Sequence, residues 1–104
     1  RNEHSQSLPA QVSALIRPML PIYQCSNQTI AEALNMHPRT LHRELAKHNT
    51  SFVKLKDTTR RALAAHYLLQ KQYSISTISM LLGYHEQATL CASVKRWFGY
   101  SPRA

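Results

Sequence analysis

The sequence predicts an all-α fold, and three observations favour it. Only two glycines interrupt the 104 residues, which argues against a sheet with many tight turns. Apolar residues make up 43% of the chain and recur at helical spacing. The length is that of one domain with a modest core. We expect a polar linker or frayed end over residues 1–7 and one folded domain over residues 8–104.

The first predicted helix begins at Leu8. Val12, Ile16 and Met19 recur there at helical spacing. Pro18 lacks a backbone N–H and its ring clashes with the preceding turn, so we expect the helix to kink or stop near Ile16.

The next segment, about residues 28–48, predicts two short helices joined by a tight turn. Ser26 and Asn27 stand where this helix begins, and both offer a side-chain oxygen as its N-cap. Asn35 stands at the turn, and Asn tolerates a left-handed backbone better than most residues. Pro38 then fits the first position of the second helix, because the missing N–H of proline would have no partner there.

A long helix is predicted over about residues 51–71. Ser51 is a suitable N-cap, and Leu55, Leu63 and Tyr67 lie on or near one stripe of the helix. With some twenty residues at about 1.5 Å each, the helix spans roughly 30 Å. We interpret it as a linker between two similar units.

The pattern of two short helices returns over about residues 76–98. Ser76 is expected to cap the first of them, and Gly83 is expected to make the turn. Gly99 is the predicted C-cap of the last helix.

The two short-helix segments align when the second is allowed one extra residue between His85 and Thr89. The equivalent pairs are Ile30 and Ile78, Leu34 and Leu82, Asn35 and Gly83, and Leu41 and Leu90. Two helices joined by a short turn with Gly or Asn form the helix-turn-helix pattern. A duplicated pattern in one chain is a more specific signal than a single copy.

The charge balance indicates a polyanionic partner. Thirteen Lys and Arg residues stand against five Asp and Glu, which gives a net charge of +8 and a pI near 10.0. Basic chains of this size usually meet nucleic acid or an anionic membrane face. No apolar run approaches the roughly 18 residues of a membrane span, and the basic residues do not face one wide apolar stripe. We therefore expect no membrane partner, and without an export signal we expect a cytoplasmic location.

The sequence offers no metal or cofactor site. Cys25 and Cys91 are two isolated cysteines, which fit a reducing compartment better than a disulfide framework or a zinc site. Among the six histidines, His37 and His42 are five residues apart, and no HExxH or CxxC motif accompanies them. We expect no metal and no cofactor.

Two helix-turn-helix units in one basic chain predict binding to double-stranded DNA. The second helix of such a unit, the recognition helix, fits the major groove, where base edges display a distinct code of donors and acceptors. Two recognition helices read one face of DNA when they lie about one helical turn, roughly 34 Å, apart. The predicted linker helix is about this long, so we expect the two helices in adjacent major grooves.

Three stretches of the sequence, IAEALNMHPRTLHREL, SFVKLKDTTRRALAAHYLL and SISTISMLLGYHEQATLCASVKRWFGYSP, resemble the tandem helix-turn-helix domain of the AraC/XylS transcription regulators. The resemblance extends from about Leu8 to Pro102, and LLGYHEQATL with VKRWFGYSP is its most specific part. It implies a seven-helix domain that binds promoter DNA and controls transcription through RNA polymerase. It also implies a ligand-sensing or dimerising domain on an N-terminal part that this sequence does not contain.

The resemblance places Arg39, His42 and Arg43 on the groove-facing side of the first recognition helix, with Lys47 nearby. Arg43 is the preferred base-reading residue, because an Arg side chain can bond guanine O6 and N7 together. His37 stands where the family commonly has Ser as the N-cap. Its ring is a poorer cap, and contact with a phosphate is the alternative. The alternative for the charged residues is an ordinary solvated helix face.

The matching surface of the second recognition helix is less well equipped. It consists of Gln87, Ala88, Thr89, Cys91 and Ala92. Gln87 can pair with adenine, and Thr89 with a thymine methyl group or a phosphate. The family commonly has Arg at the position of Ala92, so we expect the second helix to grip the backbone more than it reads bases. Lys95 and Arg96, at the end of this helix, are the predicted phosphate contacts.

Other functions and roles remain open from the sequence alone. The chain could be the DNA-binding part of a nucleic-acid enzyme, although its five carboxylates are scattered. It could also be a protein-interaction module that contacts RNA polymerase. Arg60 and Arg61 can pack, pair with Asp57 or face DNA. Trp97 and Phe98 are expected in the core rather than as stacking platforms.

Overall fold

The computed structural model describes residues 6–102, and every regular element in that range is an α-helix. The helices are α1 (Leu8–Met19), α2 (Asn27–Ala33), α3 (Pro38–Lys47), α4 (Phe52–Gln70), α5 (Ile75–Leu81) and α6 (Gln87–Phe98). The predicted all-α class is confirmed. Most of the predicted linker, residues 1–5, lies outside the described part of the chain.

The expected seventh helix is not found between residues 6 and 102, which hold six. Gly99 ends α6 with a left-handed backbone, φ +83°.

Helix α1 differs from the prediction at its end. It does not stop near Ile16 but continues through Pro18 to Met19. Proline is tolerated so close to the end because only one late hydrogen bond of the helix is lost there. At the other end the Ser7 hydroxyl accepts a hydrogen bond from the Ala10 N–H at 3.3 Å.

The chain forms two compact units, and the boundary between them falls within α4, after Thr59. In the first unit α1, α2 and α3 pack on one another. The core of this unit contains fully buried side chains from all three helices: Val12, Ile16, Ile30, Ala31, Leu41 and Leu45.

The second unit has its own core around α5 and α6. The buried side chains of this core are Ala64 from α4, Ile78, Leu82, Tyr84, Leu90 and Val94. Trp97 and Phe98 are half-buried and pack against this cluster, as the sequence predicts. They also contact each other edge to face, with ring centroids 6.0 Å apart.

The turns of the two units use the same backbone device. Asn35 follows α2 with φ +56°, and Gly83 follows α5 with φ +80°. Both residues had been predicted at these turns because few other residues adopt a left-handed backbone without strain.

The predicted helix caps are correct at two of three serines. The Ser26 hydroxyl accepts from the Thr29 N–H at 3.1 Å, and that of Ser51 accepts from the Lys54 N–H at 3.2 Å. The prediction of Ser76 as the cap of α5 is wrong. Ser74 takes that role and accepts from the Thr77 N–H at 3.0 Å, because α5 begins at Ile75.

Candidate nucleic-acid interface

Helix α3 separates an apolar face from a basic one. Leu41 and Leu45 are fully buried in the first unit. Four side chains away from this apolar face are exposed and are basic or contain imidazole: Arg39, His42, Arg43 and Lys47. All four had been singled out from the sequence. The helix therefore presents a polar, cation-rich surface to solvent.

The start of α3 is held by a histidine. His37 is the N-cap, and its Nδ1 accepts a hydrogen bond from the Arg39 N–H at 3.1 Å. Pro38 occupies the first helical turn, where its missing N–H has no cost. The ring of His37 thus serves as the cap, although a histidine ring was expected to cap a helix less well than a serine.

One carboxylate lies on the basic surface of α3. Glu44 accepts a hydrogen bond from the Lys47 ammonium group at 3.0 Å, and both side chains are accessible to solvent. Exposed pairs of this kind contribute little and exchange readily. Glu44 is therefore paired with Lys47 and not with its neighbour Arg43, whose side chain is exposed.

Helix α6 exposes fewer charged side chains than α3 does. Leu90, Ser93 and Val94 are buried. The exposed residues are Gln87, Ala88, Thr89, Ala92, Lys95 and Arg96, whereas Cys91 is half-buried. The two cations lie in the last turn of the helix, and the guanidinium of Arg96 lies 5.4 Å from the Trp97 ring centroid. Of the predicted contacts on α6, Cys91 is the least accessible.

The start of α6 is held differently from that of α3. Glu86 is the N-cap and makes no side-chain capping hydrogen bond. Its backbone carbonyl instead accepts from the Thr89 N–H and from the hydroxyl of the buried Ser79, the latter at 3.3 Å. The side chain of Glu86 therefore gives the first amide groups of α6 no capping bond.

Arg60 has a structural place that the sequence left open. Its Nε donates to the Leu82 carbonyl at 2.7 Å, and its Nη2 donates to the Gly83 carbonyl at 3.2 Å. The same guanidinium lies 4.1 Å from the ring centroid of Tyr84. Sequence patterns report near neighbours, and these partners are more than twenty residues away along the chain. The next arginine, Arg61, is exposed and lies 5.7 Å from the Phe98 ring centroid.

An apolar groove lies on the surface of the second unit. It is lined by Ala65, Leu68, Leu69, Phe98 and Tyr100. Leu69 is 81% exposed, which is unusual for a leucine within a helix. No sequence pattern predicts a groove here, because its lining comes from α4, from the last residue of α6 and from Tyr100 beyond it.

The side chains and helices of residues 6–102 also bear on two other kinds of site. No group of three or more His, Cys, Asp or Glu side chains in this range is arranged to hold a metal ion. None of its helices combines the length and the apolar character needed to cross a membrane.

Comparison with known sequences places the chain among DNA-binding regulators. The profile of a helix-turn-helix domain family matches residues 30–104. The HTH-type transcriptional regulator VirS of Mycobacterium tuberculosis is 47% identical over 97 residues, which are 93% of this chain and 28% of VirS. The chain thus spans less than a third of that relative.

Two solved structures share the fold. A DNA-binding transcriptional dual regulator from Escherichia coli K-12 superposes with a TM-score of 0.86 at 21% identity, over 94% of this chain and 87% of that one. The C-terminal domain of AraT, a response regulator from Geobacillus stearothermophilus, superposes with a TM-score of 0.80 at 25% identity. That match covers 94% of this chain and 82% of the AraT domain.

Proposed function

Because the chain belongs to the helix-turn-helix domain family of AraC-type transcriptional regulators, we propose that it binds double-stranded promoter DNA and regulates the initiation of transcription. The observation that carries this proposal is the exposed basic face of α3. Its cations lie on one side of a helix that is narrow enough to enter the major groove.

In the proposed complex α3 supplies most of the sequence preference. Arg43 donates two hydrogen bonds to O6 and N7 of a guanine, a pairing that is worth about 1–3 kcal/mol of discrimination. Arg39 and His42 contact bases or phosphates beside it, and Lys47 exchanges Glu44 for a phosphate oxygen. His37 caps the helix and brings its exposed ring close to the phosphate backbone.

In the proposed complex, helix α6 mainly binds the phosphate backbone and recognises the shape of the duplex. Lys95 and Arg96 neutralise phosphates, and such contacts position a protein without specifying a sequence. Gln87 and Thr89 are long enough to reach base edges near the start of α6. Cys91 contributes only at its exposed side. Ala92 has a methyl side chain, which offers no donor or acceptor to a base edge.

The two grooves are proposed to be adjacent along one face of the duplex. The support for this is the duplicated helix-turn-helix pattern in one chain, which supplies one recognition helix for each of two successive major grooves. We further propose a sensing or dimerising domain elsewhere in the full-length protein, an action in the cytoplasm, and RNA polymerase as a protein partner. The support for the extra domain is that the chain spans 28% of VirS.

The apolar groove of the second unit favours protein contact as a second role. A solvent-exposed leucine beside Phe98 and Tyr100 suits a partner side chain better than it suits water. Substitution of Leu69→Ser should reduce transcription with purified RNA polymerase and leave DNA affinity unchanged. Equal transcription by both proteins would contradict this role.

Selection of bound sequences from random duplex DNA, at fixed salt, tests the proposed function. We expect two enriched segments about 10 base pairs apart, with more information content in the one bound by α3. Lys95→Ala should reduce the slope of log affinity against log salt by about one and leave the selected sequence unchanged. The control, Arg17→Ala, removes an exposed cation of α1 and should leave the slope as it is. No enrichment would contradict DNA recognition, and equal information content in both segments would contradict the division of roles.

A further inference from the structure

A chain of polar contacts inside the second unit connects α4 with the recognition helix α6. It begins at Arg60, whose guanidinium donates to the carbonyls of Leu82 and Gly83. These carbonyls follow α5, where backbone oxygens have no partner within the helix and carry partial negative charge. A forked cation with two donors suits them better than a single neutral donor would.

The second link is the side chain of Tyr84. Its ring lies under the Arg60 guanidinium, with 4.1 Å between Cζ and the ring centroid. Tyr84 is only 9% exposed, and its hydroxyl donates to the hydroxyl oxygen of Ser93 at 3.0 Å. Ser93 is itself buried on α6. The aromatic ring therefore stands between a fixed cation and the inner face of the recognition helix.

Besides the bond to Ser93, α6 is held at its start by the Ser79 hydroxyl, which donates to the Glu86 carbonyl at 3.3 Å. Its buried Leu90 and Val94 make apolar contacts, which are not directional. Its N-cap, Glu86, makes no side-chain capping bond. A rotation of about 10° around the helix axis moves a side-chain tip at a radius of about 5–6 Å by roughly 1 Å. Such a shift is enough to lose a hydrogen bond to a base or a phosphate.

The first unit has no equivalent of this chain. In the alignment of the two units Met36 stands at the position of Tyr84, and Glu44 at that of Ser93. Glu44 is occupied by Lys47 on the surface. The polar chain is therefore a property of the second unit and not of the helix-turn-helix pattern.

We infer that Arg60 is a positioning residue: through Tyr84 and Ser93 it sets the orientation in which α6 meets DNA. This inference rests on the proposed function, since it assumes that α6 engages the duplex. It gives a role in DNA recognition to a side chain that points into the protein and touches no nucleotide.

The test compares two duplexes, one that carries both selected segments and one truncated before the segment bound by α6. The ratio of the two affinities measures what α6 contributes. Tyr84→Phe keeps the ring and its packing but removes the bond to Ser93. Arg60→Lys keeps the charge but loses the planar fork and its stacking. Each variant should lower the ratio about five- to tenfold and leave affinity for the truncated duplex unchanged.

Two controls separate positioning from loss of folding. Circular dichroism melting and amide chemical shifts should show that Tyr84→Phe remains folded, and Arg17→Ala, which removes an exposed cation of the first unit, should keep the wild-type ratio. Because Arg60 and Tyr84 act through one path, the double variant should lose no more than the greater single loss. A wild-type ratio in folded Tyr84→Phe, or losses that multiply in the double variant, would overturn the inference.

The outcome for the proposed function is read separately. If wild-type protein binds both duplexes equally, α6 does not engage DNA and the proposed function fails in that part. If the wild-type ratio is large and Arg60→Lys leaves it unchanged, DNA binding by α6 stands and the positioning role of Arg60 is wrong.

Discussion

The two helix-turn-helix units share a buried frame but differ in how each recognition helix is held and in what it exposes. Leu41 of α3 and Leu90 of α6 are both fully buried at equivalent positions. On the outside, Arg43 of α3 corresponds to Ala92 of α6. The comparison teaches that one duplicated frame can carry two surfaces of unequal chemistry, because the inner and outer faces of a helix are set by different residues.

The means of support differ as much as the surfaces. Helix α3 is capped from its end by the imidazole of His37. Helix α6 has no side-chain cap and is held from within through Ser79 and Ser93. Ser79 stands where the first unit has the fully buried Ala31. Helix α3, which exposes more cations, thus has an apolar interior, whereas α6 is also held by buried serine hydroxyls.

The largest expected effect is on the free energy of unfolding, and it tests whether the buried cores of the two helix-turn-helix units are equivalent. Leu41→Ala and Leu90→Ala should each lower the free energy of unfolding by about 2–5 kcal/mol, because each opens a cavity in a closed core. Chemical denaturation followed by circular dichroism measures this loss. The matched control is Leu69→Ala, which truncates an 81% exposed leucine and should change stability by less than about 0.5 kcal/mol. If Leu90→Ala were as mild as the control, the second unit would not be a packed copy of the first.

The next effect concerns the unequal surfaces. Arg43→Ala should weaken binding to the selected site by about 1–3 kcal/mol and relax the preference at one base pair. Gln87→Ala, the matched change on α6, should have a smaller effect on affinity and on preference. Competition binding against single-base variants of the site measures both. An unchanged profile for Arg43→Ala would remove the proposed difference between the two helices.

A smaller effect concerns the cap of α3. His37→Ala removes the acceptor of the Arg39 N–H, so stability should fall by about 0.5–2 kcal/mol, the usual range for loss of an N-cap. His37→Ser should retain stability, because serine is a good N-cap. His42→Ala, an exposed histidine within the same helix, should change stability by less than about 0.5 kcal/mol. Equal stability of His37→Ala and wild type would show that the imidazole is not the cap.

The frame of both units was predictable because its signals are local. Asn35, Gly83 and Gly99 were placed correctly from the sequence, since each marks a left-handed backbone that few residues accept. The exposed face of α3 followed from the spacing of Leu41 and Leu45. Patterns of this kind lie within one or two helical turns, where residue type and spacing suffice.

The supports of the second unit were not predictable for the opposite reason. Arg60 reaches carbonyls that are 22 and 23 residues away along the chain. The choice of Ser74 over Ser76 as a cap depends on Ile75, which packs against the core of the second unit when α5 begins there. Both features depend on tertiary packing, and two serines of equal capping ability cannot be separated without it.

The smallest expected effect concerns a substitution that would give α6 a side-chain N-cap, as α3 already has. Glu86 is the N-cap of α6 without a capping bond, and it is the only acidic residue after Asp57 in the sequence. Glu86→Ser supplies a hydroxyl acceptor for the first amides but loses a negative charge near the positive end of the helix. The two terms oppose each other, so the net gain in stability should be between a few tenths and about 1 kcal/mol.

Glu86→Gln separates these terms, because it removes the charge without adding a short capping group. It should lower stability by a few tenths of a kcal/mol. Both variants should bind DNA more tightly at low salt, since each removes a charge that repels phosphates at the start of α6. If serine and glutamine variants were equally stable, the missing cap would have no cost, and the contrast between an end-capped α3 and an internally held α6 would reduce to their side-chain surfaces alone.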